Sequence, residues 1–127
     1  MAHLPRLWLK ILLFSQGRLP DGYRHGAGGF DEFLITTLGI DRDAFVAYVE
    51  NEKPDYLTLE RWVREHATNL NADAIAKVNE RVASADMNDE LLAERRARLG
   101  IDHSLTNAVA VNDVDDWQAM HAVLTSS

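Results

Sequence analysis

The sequence predicts an all-α protein, a compact bundle of about six or seven short helices that folds as a single domain over residues 1–127. Apolar residues recur at the three- and four-residue spacing of amphipathic helices, and no stretch shows the two-residue alternation of a half-buried strand. Residues suited to helix ends separate these segments. With 46% hydrophobic and 26% charged residues, the composition is that of an ordinary globular protein.

The first predicted helix is the most apolar part of the chain. Pro5 suits the first helical turn, where its missing N–H would have no partner, and an apolar run follows over residues 7–14. That run is shorter than the roughly 20 residues of a membrane span, and Lys10 interrupts it in a way that a signal peptide would not. Because the helix is apolar nearly all round, we expect it at the centre of the core or in a face shared with a second subunit.

The boundaries of the helices that follow are predicted from residues that can begin or end a helix. The second helix ends at Gly39, since glycine readily adopts the left-handed conformation common after a helix. The later helices are preceded by side chains that can accept hydrogen bonds from the free N–H groups of a first turn. The predicted caps are Asp41 for the third helix, Thr58 for the fourth, Asn71 for the fifth, and Asn88 or Asp89 for the sixth.

The last predicted helix begins at Asp113, which stands three residues before Asp116 in the manner of a capping box. Its apolar stripe consists of Trp117, Met120, Val123 and Leu124. We expect Trp117, like Trp8 and Trp62, to pack in the core. The preceding residues 108–111 are compatible with a short extended segment.

Charge and composition restrict the classes of partner and of chemistry. The formal net charge of −7 repels a phosphate backbone, so we expect neither a nucleic-acid partner nor, given the short apolar run, a membrane. The absence of cysteine excludes thiolate chemistry and suits the reducing cytoplasm. The five histidines show none of the usual metal-binding helical spacings, and we predict no metal and no cofactor.

The stretch RLPDGYRHGAGGFDEFL, residues 18–34, is the candidate ligand-binding segment. Its glycines precede a helix, where backbone N–H groups can converge on an anion. It lacks the spacing and the Lys-Ser/Thr pair of known phosphate-binding loops, so an ordinary surface turn and an anion site both stay open.

A site there would lie between the first helix and residues 18–31. The candidate ligand-binding residues are Arg6, Lys10, Arg18, Tyr23, Arg24, His25 and Asp31. In this hypothesis the cations contact a small anionic ligand, and Tyr23 or Asp31 orients it or handles a proton. No residue is assigned a catalytic role.

Arg6 and Lys10 lie four residues apart on one helix face, beside apolar side chains. Burying such cations without partners is costly, whereas a carboxylate with supporting hydrogen bonds offsets the cost. We therefore predict that Arg6 or Lys10 pairs with Asp21 or Asp31 and orders the loop against the first helix.

Three segments resemble the opening of a bacterial family of domains of unknown function: LPRLWLK at residues 4–10, GRLPDGY at 17–23 and GFDEFLITTLGID at 29–41. The fitting positions are Leu4, Pro5, Arg6, Lys10, Gly17, Leu19, Tyr23, Asp31, Phe33, Leu38 and Gly39. The family often has an acidic residue directly before the lysine, where this chain has Leu9. The resemblance implies a small, mostly helical cytoplasmic protein and transfers no mechanism.

Together these features favour a protein-binding or self-associating interaction module that pairs through an apolar helix, with the first helix as the leading candidate. The alternative is a small-molecule or anion-binding protein, or an enzyme, that uses the first helix and residues 18–31. A concave pocket lined by the candidate residues would favour the alternative. A flat apolar surface shared between chains would favour the interaction module.

Overall fold

The structure is a computed structural model that describes residues 1–23, 25–102 and 104–126. Over these ranges the chain forms seven α-helices and no β-strand, which confirms the predicted all-α class. The helices are α1 (Leu4–Ser15), α2 (Gly29–Leu38), α3 (Arg42–Glu52), α4 (Tyr56–His66), α5 (Ala72–Ser84), α6 (Asp89–Leu99) and α7 (Ala108–Thr125). In the described part of the chain, none of them combines the length and apolarity that a membrane crossing requires.

The chain divides into two units, Met1–Glu80 and Arg81–Ser127. The first unit contains α1 to α4 and the greater part of α5, and the second contains the end of α5 together with α6 and α7. The single domain expected from chain length stays a prediction.

In the first unit, α1 packs against α2, α3 and α4. Its buried face carries Leu4, Leu7 and Ile11, whose spacing of three and four residues places them on one side of the helix. The other helices of this unit contribute Leu34, Ile35, Leu38, Phe45, Val49, Leu59, Val63, Ala74 and Val78 to the core. The central core position predicted for the first helix is therefore observed, and a face shared with a second subunit stays a prediction.

Local capping begins and ends most helices at the predicted residues. The side-chain oxygens of Asp41, Asn71 and Asn88 each accept a hydrogen bond from the backbone N–H three residues later, at 2.8 to 2.9 Å. Gly39 and Gly100 end α2 and α6 in the left-handed conformation. These contacts satisfy backbone groups that a helix end would otherwise leave unpaired.

The cap of α4 differs from the prediction. Asp55, not Thr58, precedes the helix, and the Asp55 carboxylate accepts a hydrogen bond from the backbone N–H of Thr58 at 2.8 Å. Thr58 lies inside the first turn as the donor. The cap prediction was wrong because Asp and Thr are both good caps and stand three residues apart, the distance that joins a cap to its N–H partner.

The start of α7 also differs from the prediction. Asn107 caps the helix: its side-chain oxygen accepts hydrogen bonds from two backbone N–H groups of the first turn, at 3.0 and 3.1 Å. Its side-chain amide donates to the carbonyl of Ala83 at 3.0 Å. Residues 108–111 are therefore helical rather than extended, and the helix start predicted at Asp113 is wrong.

The predicted burial of Trp117 on α7 is wrong as well. Inside the second unit, α7 buries Ala108, Val111 and Asp115. The stripe Trp117, Met120, Val123 and Leu124 is exposed. This helix has apolar side chains on two faces, and periodicity alone does not say which face meets the core. Trp8 and Trp62 are half-buried.

We expect Asn107→Ala to lower the free energy of unfolding by about 1 to 2 kcal/mol, because it removes a cap and the hydrogen bond to Ala83. Asp113→Ala should have a much smaller effect, since Asp113 lies inside α7. Denaturant unfolding followed by circular dichroism measures both variants. Equal losses would contradict the assignment of the cap to Asn107.

Candidate functional site

Two of the predicted site residues, Lys10 and Asp31, meet in the first unit as a buried ion pair. The Lys10 Nζ atom lies 2.8 Å from each oxygen of the Asp31 carboxylate. Lys10 is 6% exposed and Asp31 is 2% exposed. Of the four pairings considered from the sequence, this one is present, and it joins α1 to α2.

Two more groups bind the same carboxylate. The ring of His3, at the N-cap of α1, bonds through Nε2 to Asp31 Oδ1. The backbone N–H of Gly26 donates to Asp31 Oδ2 at 2.9 Å. We call His3, Lys10, Asp31 and the Gly26 N–H the Asp31 cluster. It connects α1, α2, the residue preceding α1 and the connection between the two helices.

His3 is a member of this site that the sequence pattern did not predict. The available signal was spacing, because His3 stands seven residues before Lys10, a separation that places two residues on the same face of a helix. The edge of the His3 ring also meets Phe30, with the ring centroids 5.5 Å apart. A polar residue seven positions from Lys10 is therefore placed beside it, where the two side chains can share one buried partner.

Burial and hydrogen bonding act in opposite directions on the Asp31 carboxyl. Burial raises its pKa, but the hydrogen bond from His3 and the charge and hydrogen bond of Lys10 outweigh burial and lower the pKa to about 2. Burial lowers the pKa of His3, the charges of Lys10 and Arg6 act in the same direction, and Asp31 opposes them. At neutral pH, Lys10 and Asp31 therefore carry opposite charges beside a neutral His3.

In this arrangement Asp31 holds α1 and α2 together and is poorly suited to act as a general base. From residues that the structure describes, its carboxylate accepts four hydrogen bonds, which is about the full capacity of the group. A carboxyl with a pKa of about 2 is a weak proton acceptor at neutral pH. The charge of Lys10 is likewise balanced by Asp31, so Lys10 attracts a further anion less strongly than an unpaired lysine would.

The other candidate ligand-binding residues have different surroundings. The Arg6 guanidinium lies over the ring of Tyr23, 5.8 Å from its centroid. The His25 ring stacks on Phe14 at 3.8 Å between centroids and an interplanar angle of 22°. Arg18 is exposed. Arg24 lies outside the described residues.

An open groove of about 650 Å³ lies elsewhere in the first unit, between α2, residues 69–71 and the start of α5. Its lining consists of Phe33, Thr36, Thr37, Asn69, Asn71, Asp73, Ala74 and Lys77. None of these is a predicted ligand-binding residue. The two asparagines are engaged within the protein: Asn69 donates to the Thr37 carbonyl at 2.9 Å, and Asn71 caps α5.

A second candidate surface lies in the second unit. Trp117, Met120 and Leu124 occupy adjacent turns on one side of α7, and we call them the α7 outer face. Trp117 is 66% exposed and Leu124 is 75% exposed. Large apolar side chains grouped on one helix face are typical of a surface that binds another protein.

Comparison with known proteins identifies a family without assigning an activity. The family model of DUF5069, a domain of unknown function, matches residues 1–118. No curated protein and no solved structure matches the chain. The matched range contains the whole Asp31 cluster and ends just after Trp117. The chain therefore belongs to the DUF5069 family, whose description as a domain of unknown function agrees with the resemblance noted in the first 45 residues.

Proposed function

We propose that this protein acts in the cytoplasm as a self-associating interaction module, and that a second copy of the chain binds the α7 outer face. The observation that carries this proposal is the exposure of Trp117, Met120 and Leu124 on one side of a surface helix. Removing such side chains from water is the main favourable term in protein association, and tryptophan is among the residues enriched at binding hot spots.

The spacing of the outer face supports a second copy as the partner. A two-fold axis that crosses the helix between residues 120 and 121 relates position 117 to position 124 and position 120 to position 121. In an antiparallel two-fold pair, Trp117 of one copy faces Leu124 of the other, and Met120 faces His121. A surface that complements itself in this way is what a two-fold dimer requires.

The charges of α7 support the antiparallel arrangement. Asp115 of α7 is buried and pairs with Arg98. The helix also carries Asp113 and Asp116, and it contains no Lys or Arg. In a parallel pair the aspartates of the two copies would lie side by side and repel each other. In an antiparallel pair they lie at opposite ends of the interface.

The first helix supports self-association less well than α7 does. Its buried face lies in the core of the first unit, where Leu4, Leu7 and Ile11 already pack. Among its remaining apolar side chains, Leu9 and Phe14 are partly exposed. The lack of cysteine supports the reducing cytoplasm as the compartment.

Sedimentation velocity across a range of protein concentrations tests this proposal. The outer face has far fewer residues than the roughly 20 to 30 per partner of a standard interface, so we expect a weak dimer with a dissociation constant of order micromolar or above. Trp117→Ala and Leu124→Asp should each raise that constant at least tenfold. Both side chains are exposed, and circular dichroism can verify that the helices are retained.

Leu57→Asp is the matched control, because Leu57 is a similarly exposed leucine on α4 in the first unit. This variant should dimerise like the unchanged protein. A chain that stays monomeric at several hundred micromolar would overturn the proposal. A dimer that tolerates both α7 substitutions would overturn it too.

A further inference from the structure

The segment that precedes α1 is held at two points. The backbone N–H of Ala2 donates to the side-chain oxygen of Asn79 on α5 at 2.8 Å. The ring of His3 bonds to Asp31 on α2. Residues 1–3 thus connect two helices of the first unit, and the bond from His3 is the one that depends on a titratable donor.

The charged groups around His3 already include more cations than anions while its ring is neutral. The charged groups that face it are Asp31 on α2 and, on α1, Lys10 and Arg6. The side chain of His3 is 4% exposed, so water does little to stabilise an added charge there. A proton on His3 would place another cation beside Lys10, with a single carboxylate to serve both.

The backbone of His3 favours release of the segment. His3 has φ 68° and ψ −22°, in the left-handed region, which is uncommon and unfavourable for a residue with a Cβ atom. Such a conformation persists when surrounding contacts hold it, and here the bond to Asp31 is such a contact. Detachment lets the backbone return to a relaxed conformation.

We propose that His3 is a proton-operated latch, and that its protonation detaches residues 1–3 from Asp31 and Asn79 while the Lys10–Asp31 pair keeps α1 and α2 together. The device requires a buried histidine, a carboxylate already committed to a lysine, and a strained backbone at the histidine. All three coincide at this position.

The sign of the pH dependence follows from linkage. Burial holds the pKa of the attached His3 below its ordinary value of 6.5, so the detached segment binds a proton more readily than the attached one. Attachment is therefore complete above pH 6.5 and is lost as the pH falls through the lower value. In that interval the ratio of detached to attached segment rises by up to about tenfold per pH unit. With the segment attached the pKa of Asp31 is about 2, and the charge and hydrogen bond of Lys10, which also lower this pKa, remain after detachment.

Nuclear magnetic resonance measures the latch directly in the intact chain. The heteronuclear nuclear Overhauser effect of the amides of Ala2 and His3 should be as high as that of α1 at pH 7.5 and should fall toward the value of a free segment at pH 5. The titration midpoint of the His3 ring should coincide with this fall. The amide of Leu7, which donates to the His3 carbonyl at 3.0 Å, should lose protection from hydrogen exchange over the same range.

Two substitutions separate the latch from other acid effects. His3→Gln has no titratable ring, so its residues 1–3 should show no pH response between 7.5 and 5, whether they are attached or detached. His25→Gln is the matched control, because His25 stacks on Phe14, and it should keep the full response. Residues 1–3 that stay rigid with a protonated His3 ring would overturn the proposal, as would a pH response that survives in His3→Gln.

Discussion

Replacing Lys10 with methionine is expected to lower the free energy of unfolding by about 3 to 5 kcal/mol, the usual cost of removing one partner of a buried ion pair. Methionine keeps most of the apolar length of lysine, so the loss reports the missing charge rather than a cavity. Among the described residues, it leaves the Asp31 carboxylate, which is 2% exposed, with His3 and Gly26 as its donors. Guanidinium unfolding followed by circular dichroism measures the loss.

The neighbouring pair of Arg42 and Glu32 provides the control. Its atoms are 3.2 Å apart, but both side chains are exposed to solvent. Arg42→Met should therefore cost less than about 1 kcal/mol. If Lys10→Met cost no more than Arg42→Met, the Asp31 cluster would not be the anchor described above.

The second large effect is expected at Gly39, where α2 ends against residues 68 and 69. Gly39 has φ +67°, and a Cβ atom there would lie 2.2 Å from Thr68 Oγ1 and 3.0 Å from the backbone nitrogen of Asn69. The Gly39 carbonyl accepts the Thr68 N–H at 2.9 Å, so this turn cannot move away without breaking a hydrogen bond. Conformational cost and lost hydrogen bonding together predict that Gly39→Ala lowers the free energy of unfolding by about 3 kcal/mol.

Gly100 allows the two contributions at Gly39 to be separated. It ends α6 with a similar φ of +69°, but nothing lies within 4 Å of the position its Cβ would take. Gly100→Ala should therefore cost only the conformational part, about 1 kcal/mol. The same denaturant titration compares the two variants, and equal losses would show that the close approach to Thr68 does not matter.

Most helix ends could be predicted from the sequence because the contacts that form them are local. Asp41, Asn71 and Asn88 cap through hydrogen bonds to an N–H three residues away, and Gly39 ends its helix by its own backbone conformation. Partners this close in sequence can be identified without knowing how the chain folds. For the same reason the all-α class could be predicted from spacing and caps alone.

The start of α7 shows where local reasoning stops. Asn107 and Asp113 are both suitable caps, and each is followed by apolar residues at helical spacing. In the structure, Asn107 also donates to the carbonyl of Ala83, twenty-four positions away. That contact belongs to the tertiary structure, so the sequence offered no means of ranking the two residues.

The sequence by itself determined that the chain is helical, where most helices begin and end, and that a cation on the first helix needs an acidic partner. Only the tertiary structure decided that Asp31 is this partner, that His3 and Gly26 complete its hydrogen bonds, and that the stripe containing Trp117 faces outward. The physical reason is the separation along the sequence between the residues that interact. Helix periodicity and capping depend on residues within about one turn of each other, whereas the choice of a buried partner or a buried face depends on which helices pack together.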